Sequence, residues 1–313
     1  MSRRTRALRY SGIIPLALFC LFGACAPKED KSVTLLNGHT MGTTWQVTIR
    51  HLPQGHSLQE LNKRIAAEFN LIDAQASHWR PESQVSRFNL TFTTEPFPVK
   101  PDLQRIITKA QDLHKKTSGA FDITIAPLVN LWGVGPVKST RGYTPSDEEI
   151  EKALIMCGME KLKLLPDGTI RKTAPGLQID LSALAKGYAI DQVADLLNAL
   201  DIQDYLIECG GELRGRGDGS RGGGWQVAIE NPVGSGASRI ISLVNSAIAT
   251  SGNYRRLHII NPQTGRPVET ETNIISVIAP TAMEADAWAT ACLVLDHEAC
   301  TQLAQQEKFV IYR

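Results

Sequence analysis

Net charge is almost absent from this chain. Its 313 residues carry 33 Lys and Arg against 32 Asp and Glu, so nothing draws it in bulk toward a polyanion. No basic strip interleaved with aromatic residues occurs either, and both points argue against nucleic-acid binding. Beyond the N-terminal segment only four cysteines remain, Cys157, Cys209, Cys292 and Cys300, and their spacings match no zinc pattern. Glycines gather at Gly210-Gly211 and from Gly215 to Gly224, yet in neither the Walker nor the GxGxxG spacing, and hairpin turns account for most of them. There is no short-period repeat and no low-complexity tract. What remains, 42% hydrophobic and 21% charged, is material for one large globular domain or two closely packed lobes.

The N-terminus reads as a targeting segment. Arg3, Arg4, Arg6 and Arg9 precede a short apolar run from Ile13 to Phe22, too short to favour an uncleaved membrane span. Leu21-Phe22-Gly23-Ala24-Cys25 resembles a bacterial lipobox. The expected organisation is a signal peptide over 1–24, a lipidated Cys25 with a linker over 25–34, and one domain over 35–313. Ala26 and Pro27 follow the cysteine, with no Asp to suggest inner-membrane retention. The chain is therefore expected lipid-anchored on the periplasmic side of a bacterial membrane, with inner and outer membrane both open. In an oxidising compartment Cys292 and Cys300 could bond, or all four cysteines could be buried free thiols.

Periodicity predicts an α+β fold. Strands are expected at Trp45–Ile49, Leu177–Leu181, Asp204–Cys209, Trp225–Ile229, Ile240–Val244, Asn273–Ile278 and Phe309–Tyr312. A helix capped by Ser57 and Glu60 should bury Leu58, Leu61, Ile65, Phe69 and Ile72. A second should bury Leu103, Ile106, Ile107, Ala110 and Leu113 and stop at Ser118-Gly119, and a third should start at Ser146 with Glu149. Further helices are expected from Ser182 and Thr281. Hairpin-like strands mixed with isolated long helices argue against a regular βαβ array.

Three stretches could carry chemistry. After the Thr281/Glu284 capping box, Asp286 and Thr290 are four apart and face the same way; a carboxylate beside a hydroxyl could hold a hard cation against a phosphate, or be a plain polar helix face. Asp180-Leu181-Ser182-Ala183-Leu184-Ala185-Lys186-Gly187 lies where a strand is expected to run into a helix, a place that offers amide donors and Lys186 to an anion; the plainer reading is a capped helix with Lys186 in water. His258-Ile259-Ile260-Asn261-Pro262-Gln263-Thr264-Gly265-Arg266-Pro267 puts an imidazole, the usual general base near neutral pH, beside a fixed turn.

These stretches fall into a longer pattern. Met41-Gly42-Thr43-Thr44-Trp45, Trp79-Arg80-Pro81-Glu82-Ser83 through Ser86-Arg87-Phe88-Asn89, Thr117-Ser118-Gly119-Ala120-Phe121-Asp122 with Pro127-Leu128, the Asp180 block, Glu208-Cys209-Gly210-Gly211, Ser251-Gly252-Asn253-Tyr254, the His258 block and the Asp286/Thr290 helix stand in that order. In this the chain resembles the ApbE family of flavin transferases from about Leu36 onward. The resemblance implies a T-fold-like α+β architecture of largely antiparallel sheets with packed helices in two intimately associated lobes. It implies transfer of the FMN part of FAD to a threonine of a target protein, with release of AMP. The acceptors would be subunits of redox-driven ion pumps of the Na⁺-translocating NADH:quinone reductase or Rnf type. By the same resemblance, Met41, Trp79, Ala120, Phe121, Asp122, Asp180, Lys186 and Ile260 should contact FAD, Asp286, Thr290 and the Ala183 carbonyl should bind Mg²⁺, and His258 should be the base. FAD hydrolysis to FMN and AMP, and flavin binding without catalysis, are the competing readings. The chain departs from relatives in two places: only Arg255, Arg256 and Leu257 precede His258 where many carry a longer insert, and Asn261 stands where Asp is frequent.

Overall fold

A computed structural model describes residues 33–313 except 138–142, 231–236, 254–257 and 270–273. The expected signal peptide, Cys25, Tyr254, the shortened segment before His258 and Asn273 therefore lie outside the described residues. Seven strands form one antiparallel sheet in the order β1-β2-β5-β6-β9-β10-β11: β1 Thr34–Thr40, β2 Thr43–Ile49, β5 Tyr205–Cys209, β6 Glu212–Arg216, β9 Ser246–Gly252, β10 Ile274–Ala279 and β11 Val310–Tyr312. Two hairpins stand apart, β3 Leu162–Leu164 with β4 Ile170–Lys172, and β7 Trp225–Glu230 with β8 Ala237–Leu243. The helices are α1 Leu58–Ala76, α2 Gln84–Leu90, α3 Pro101–Lys116, α4 Ala126–Leu131, α5 Asp147–Met156, α6 Ala185–Ala199, α7 Ala282–Val294 and α8 His297–Glu307.

The period of two along each strand makes the main sheet two-faced. Trp45, Val47 and Ile49 of β2, Tyr205, Ile207 and Cys209 of β5, and Ala247 and Ala249 of β9 join the main core with helices α1, α6 and α7. Ile248, one residue out of phase, points the other way and packs with Trp225, Val227, Ile229, Ile241 and Leu243 of the β7–β8 hairpin. The sheet is thus a middle layer, with helices on one side and a hairpin over part of the other.

Local signals placed most helices. The Ser57 side chain accepts the Glu60 N–H at 3.1 Å, and Leu61, Ile65, Phe69 and Ile72 are buried, while Leu58 in the first turn stays exposed. All five apolar residues expected of α3 are buried, and the chain leaves it through Ser118 and Gly119, both at positive φ. Ser146 and Glu149 make a complete capping box. A disulfide joins Cys292 at the end of α7 to Cys300 on α8, whereas Cys157 and Cys209 are buried free thiols.

Two further expectations fail. Residues Leu177–Leu181 form no strand: the Asn89 side chain grips Ile179, accepting its N–H and donating to its carbonyl, both at 2.8 Å. An amide side chain thus supplies the bonds that a neighbouring strand would have supplied. Ser182 does not cap α6 either. A tight turn over 182–184 intervenes, and the helix opens at Ala185 behind Leu184 without a side-chain cap.

Helix α7 is buried nearly all round, through Ala285, Asp286, Ala287, Trp288, Ala289, Ala291 and Cys292, as a helix with apolar residues on every face must be. Its alanines let it lie close on β9, β10 and α6. Gly187 of α6 marks the tightest approach, because a Cβ there would lie 2.4 Å from the Ala282 carbonyl oxygen. Asp191 of α6 accepts the first amides of α7, Ala282 N–H at 2.9 Å and Met283 N–H at 3.0 Å, and pairs with Arg214 of β6. Asp191→Ala strips a buried amide, a part-buried amide and a guanidinium of their partner. It should lower the unfolding free energy by about 3–5 kcal/mol, read from urea unfolding; a loss of under about 1 kcal/mol, the level of an exposed ion pair, would mean that the cap is not holding the two helices together.

Candidate active site

A cavity of ≈ 670 Å³ opens where the β5–β6 turn, the start of α6, the middle of α7 and the end of β9 meet. The loop at 258–262, the 120–125 segment, His78 and Trp79, and Val227 to Ile229 of the hairpin complete its walls. Of the residues singled out from sequence, Trp79, Ala120, Phe121, Asp122, Asp180, Ala183, Lys186, His258, Ile260, Asp286 and Thr290 all line it. Met41 does not. It sits at positive φ in the two-residue turn between β1 and β2, beside the β5–β6 turn, where Thr43 is 3.1 Å from the Cβ position of Gly210.

The floor is built around Lys186. Its ammonium lies 3.2 Å from Glu212 and 3.8 Å from Asp286. Burial opposes its charge, but the Asp286 and Glu212 carboxylates outweigh burial and raise its pKa. Asp286 is only 3% exposed, and burial raises its pKa against the pull of Lys186 and the Gly187 amide. Glu212 is pushed to about 8, chiefly by burial, partly relieved by Lys186 and reinforced by Asp286. One of its oxygens, Oε2, is buried without a partner among the described residues. Glu212 was not singled out from sequence, although it directly follows the Gly210-Gly211 turn (φ 64° and 104°), whose backbone requires glycine-like freedom. Two carboxylates face one lysine here, an imbalance that suits an added cation.

The donor set fits Mg²⁺. Gly187 gives its N–H to Asp286 Oδ2 at 3.3 Å rather than to the carbonyl four residues back, which leaves the Ala183 oxygen outside the ladder of α6. The Thr290 hydroxyl, one turn beyond Asp286, lies 3.0 Å from the Ser251 hydroxyl. One carboxylate, one hydroxyl and one released carbonyl from residues lining one cavity are hard oxygen donors, and Mg²⁺ asks for one or two carboxylates with phosphate and water completing its octahedron. No group of three His, Cys, Asp or Glu side chains occurs among the described residues, so a site built wholly from such ligands is not found there.

His258 reaches the cavity from a loop held by a side chain elsewhere. Asn253, buried, accepts the N–H groups of His258 at 3.1 Å and Ile259 at 3.0 Å and donates to the Val268 carbonyl at 2.9 Å. Asn261 performs a similar local task. Its side-chain oxygen accepts the Gln263 N–H at 2.8 Å and the Thr264 N–H at 3.3 Å, so the position shapes the turn, and an amide oxygen serves there as well as a carboxylate would. Asp122 also has a structural duty, taking the Thr124 N–H and hydroxyl on one oxygen at 2.7 and 2.6 Å. Trp79 is 59% exposed at the cavity mouth, which rules out core packing as its role and leaves a flat apolar face toward any ligand.

The family model for the ApbE family matches residues 41–312. The chain belongs to that family. It is 35% identical over 321 residues to the FAD:protein FMN transferase of Haemophilus influenzae, covering 96% of this chain and 91% of that one. To the enzyme of the same name from Escherichia coli K12 it is 34% identical over 325 residues, covering 97% and 92%. Among solved structures, the flavin transferase ApbE of Vibrio cholerae superposes with a TM-score of 0.84 at 35% identity, covering 90% of this chain and 92% of that chain. The flavinyl transferase ApbE of Pseudomonas stutzeri gives 0.82 at 33%, covering 90% of each. The ApbE fold expected from the motifs is the fold found.

Proposed function

We infer that this ApbE-family chain binds FAD and Mg²⁺ in the described cavity and transfers FMN to a threonine hydroxyl of an acceptor protein, releasing AMP. The observation that carries this reading is the meeting of Asp286, Thr290 and the released Ala183 carbonyl with Lys186 in one cavity, in a chain about one-third identical to named FAD:protein FMN transferases. Mg²⁺ bound there would screen the pyrophosphate charge and polarise the phosphorus under attack.

The chain's own residues supply the rest. Lys186, held cationic, neutralises phosphate oxygen charge. Exposed Trp79 offers its face to a ring system, and the walls from Ala120 to Ile125 and Ile260 exclude water. The acceptor Thr oxygen attacks the FMN phosphorus in line, its proton passes to His258, and the bond from phosphorus to the bridging oxygen breaks as AMP departs. Acceptors in redox-driven ion pumps and a lipid anchor at Cys25 on the periplasmic side belong to the same proposal. The lipobox-like segment supports them, and the Cys292–Cys300 disulfide suits an oxidising compartment.

The test is intact-mass analysis of the soluble flavin-carrying domain of an NADH:quinone reductase subunit after incubation with this protein, FAD and Mg²⁺. The expected result is gain of one FMN unit, equimolar AMP and loss of both on adding EDTA. FMN and AMP released in equal amounts from an unmodified acceptor would replace the transferase by a FAD pyrophosphatase.

A further inference from the structure

His78 and Asp180, which both line the cavity, form a buried pair. His78 Nδ1 lies 2.8 Å from Asp180 Oδ1, and the His78 side chain is only 6% exposed. The same Oδ1 accepts the Ser182 N–H at 2.8 Å, and the Asp180 N–H is fixed on the Ile123 carbonyl at 2.7 Å. Asp180 is therefore clamped through its backbone and Oδ1, with the Ser182 side chain also supporting its charged form. His78 Nε2 is buried and has no partner among the described residues. Both side chains line the cavity. Burial works against charge on His78, but Asp180 prevails and raises its pKa; His78 in turn keeps the buried Asp180 carboxyl below its ordinary range. The residue after His78 is Trp79, with ring centroids 5.4 Å apart and planes tilted by 37°.

We propose that His78 is a positioning residue for the nucleotide: its Nδ1–H holds the Asp180 carboxylate so that this side chain meets a donor group of FAD. An ionised carboxylate only accepts hydrogen bonds, so its partner is a sugar hydroxyl or a ring N–H of the ligand. This rests on the reading that the cavity binds FAD. A structural ion pair is the plain alternative, and it makes a different prediction for conservative variants.

Asparagine places its amide nitrogen near the position of Nδ1, and glutamine places it near that of Nε2. Titration of the purified protein with FAD, followed by fluorescence, should give a Kd raised about tenfold or more for His78→Ala and His78→Gln but within about threefold of wild type for His78→Asn, the scale of one charge-assisted hydrogen bond. Turnover at saturating FAD should change little in all three. In an Asp180→Ala background, His78→Ala should weaken FAD no further, because its route to the ligand is already gone. Wild-type affinity in His78→Ala, rescue by Gln and not Asn, or losses that multiply in the double variant would each overturn the assignment. If circular dichroism shows His78→Ala unfolded, the Asn and Gln variants decide alone. Failure of the wild-type protein to bind FAD would overturn the functional reading itself; FAD binding with Asn no better than Gln would sink only the role given to His78.

Discussion

Asp286→Ala should abolish the Mg²⁺ dependence proposed for FMN transfer, with a loss of about three orders of magnitude or more in turnover, as expected when transition-state charge loses its stabiliser. Asp286 is the single carboxylate of the expected donor set; Thr290 and the Ala183 carbonyl contribute neutral oxygens that could not hold a divalent cation by charge. The same side chain also partners Lys186 and the Gly187 amide, so alanine confounds metal loss with rearrangement of the floor. Asp286→Asn separates the two. It keeps an acceptor for Gly187 and much the same volume but removes the charge, so it should fold with wild-type cooperativity and still fail to respond to Mg²⁺. The measurement is initial rate of acceptor flavinylation against Mg²⁺ concentration. A saturable Mg²⁺ response of near-normal height in either variant would remove the metal assignment.

His258→Ala should slow transfer by about 10²–10⁴-fold, the usual contribution of a positioned general base, while leaving FAD affinity within about threefold of wild type. The structure gives a reason to expect this separation. The loop is held by Asn253 through backbone groups of His258, Ile259 and Val268, and Asn261 shapes the turn beyond it. Removing the imidazole should leave that scaffold standing. FAD titration beside single-turnover transfer tests the split, and equal losses in binding and rate would assign His258 to the ligand pocket and leave the base unidentified.

Legibility from sequence followed the range of the physical signal. Caps at Ser57, Ser146 and Thr281 are local events, and each was read correctly because donor and acceptor lie three residues apart. Core strands such as Tyr205–Cys209 announce themselves by alternation. Strand β9, Ser246–Gly252, was missed because Ala247, Ala249 and Gly252 have little apolar contrast; its partners are set by the helix above it. The Leu177–Leu181 segment was misread because its bonds come from Asn89, far away in sequence. The site divides similarly. Asp286 and Thr290 share a helix face, but Glu212, His78 and Asn253 gain their roles only from neighbours that the fold brings together, and single-sequence spacing carries no trace of that.

Helix α7 has a consequence for anyone who would redirect this protein to new acceptors. It is at once the keel of the main core, packed on two strands and α6, and the bearer of Asp286 and Thr290. A change on this helix is read twice, once as packing and once as chemistry, so few variants will alter one without the other. Trp79 at the mouth is free of that double reading, because it is exposed, whereas Val227 and Ile229 of the hairpin are buried in their own small core. Libraries meant to change the acceptor belong at Trp79, with α7 kept as it stands.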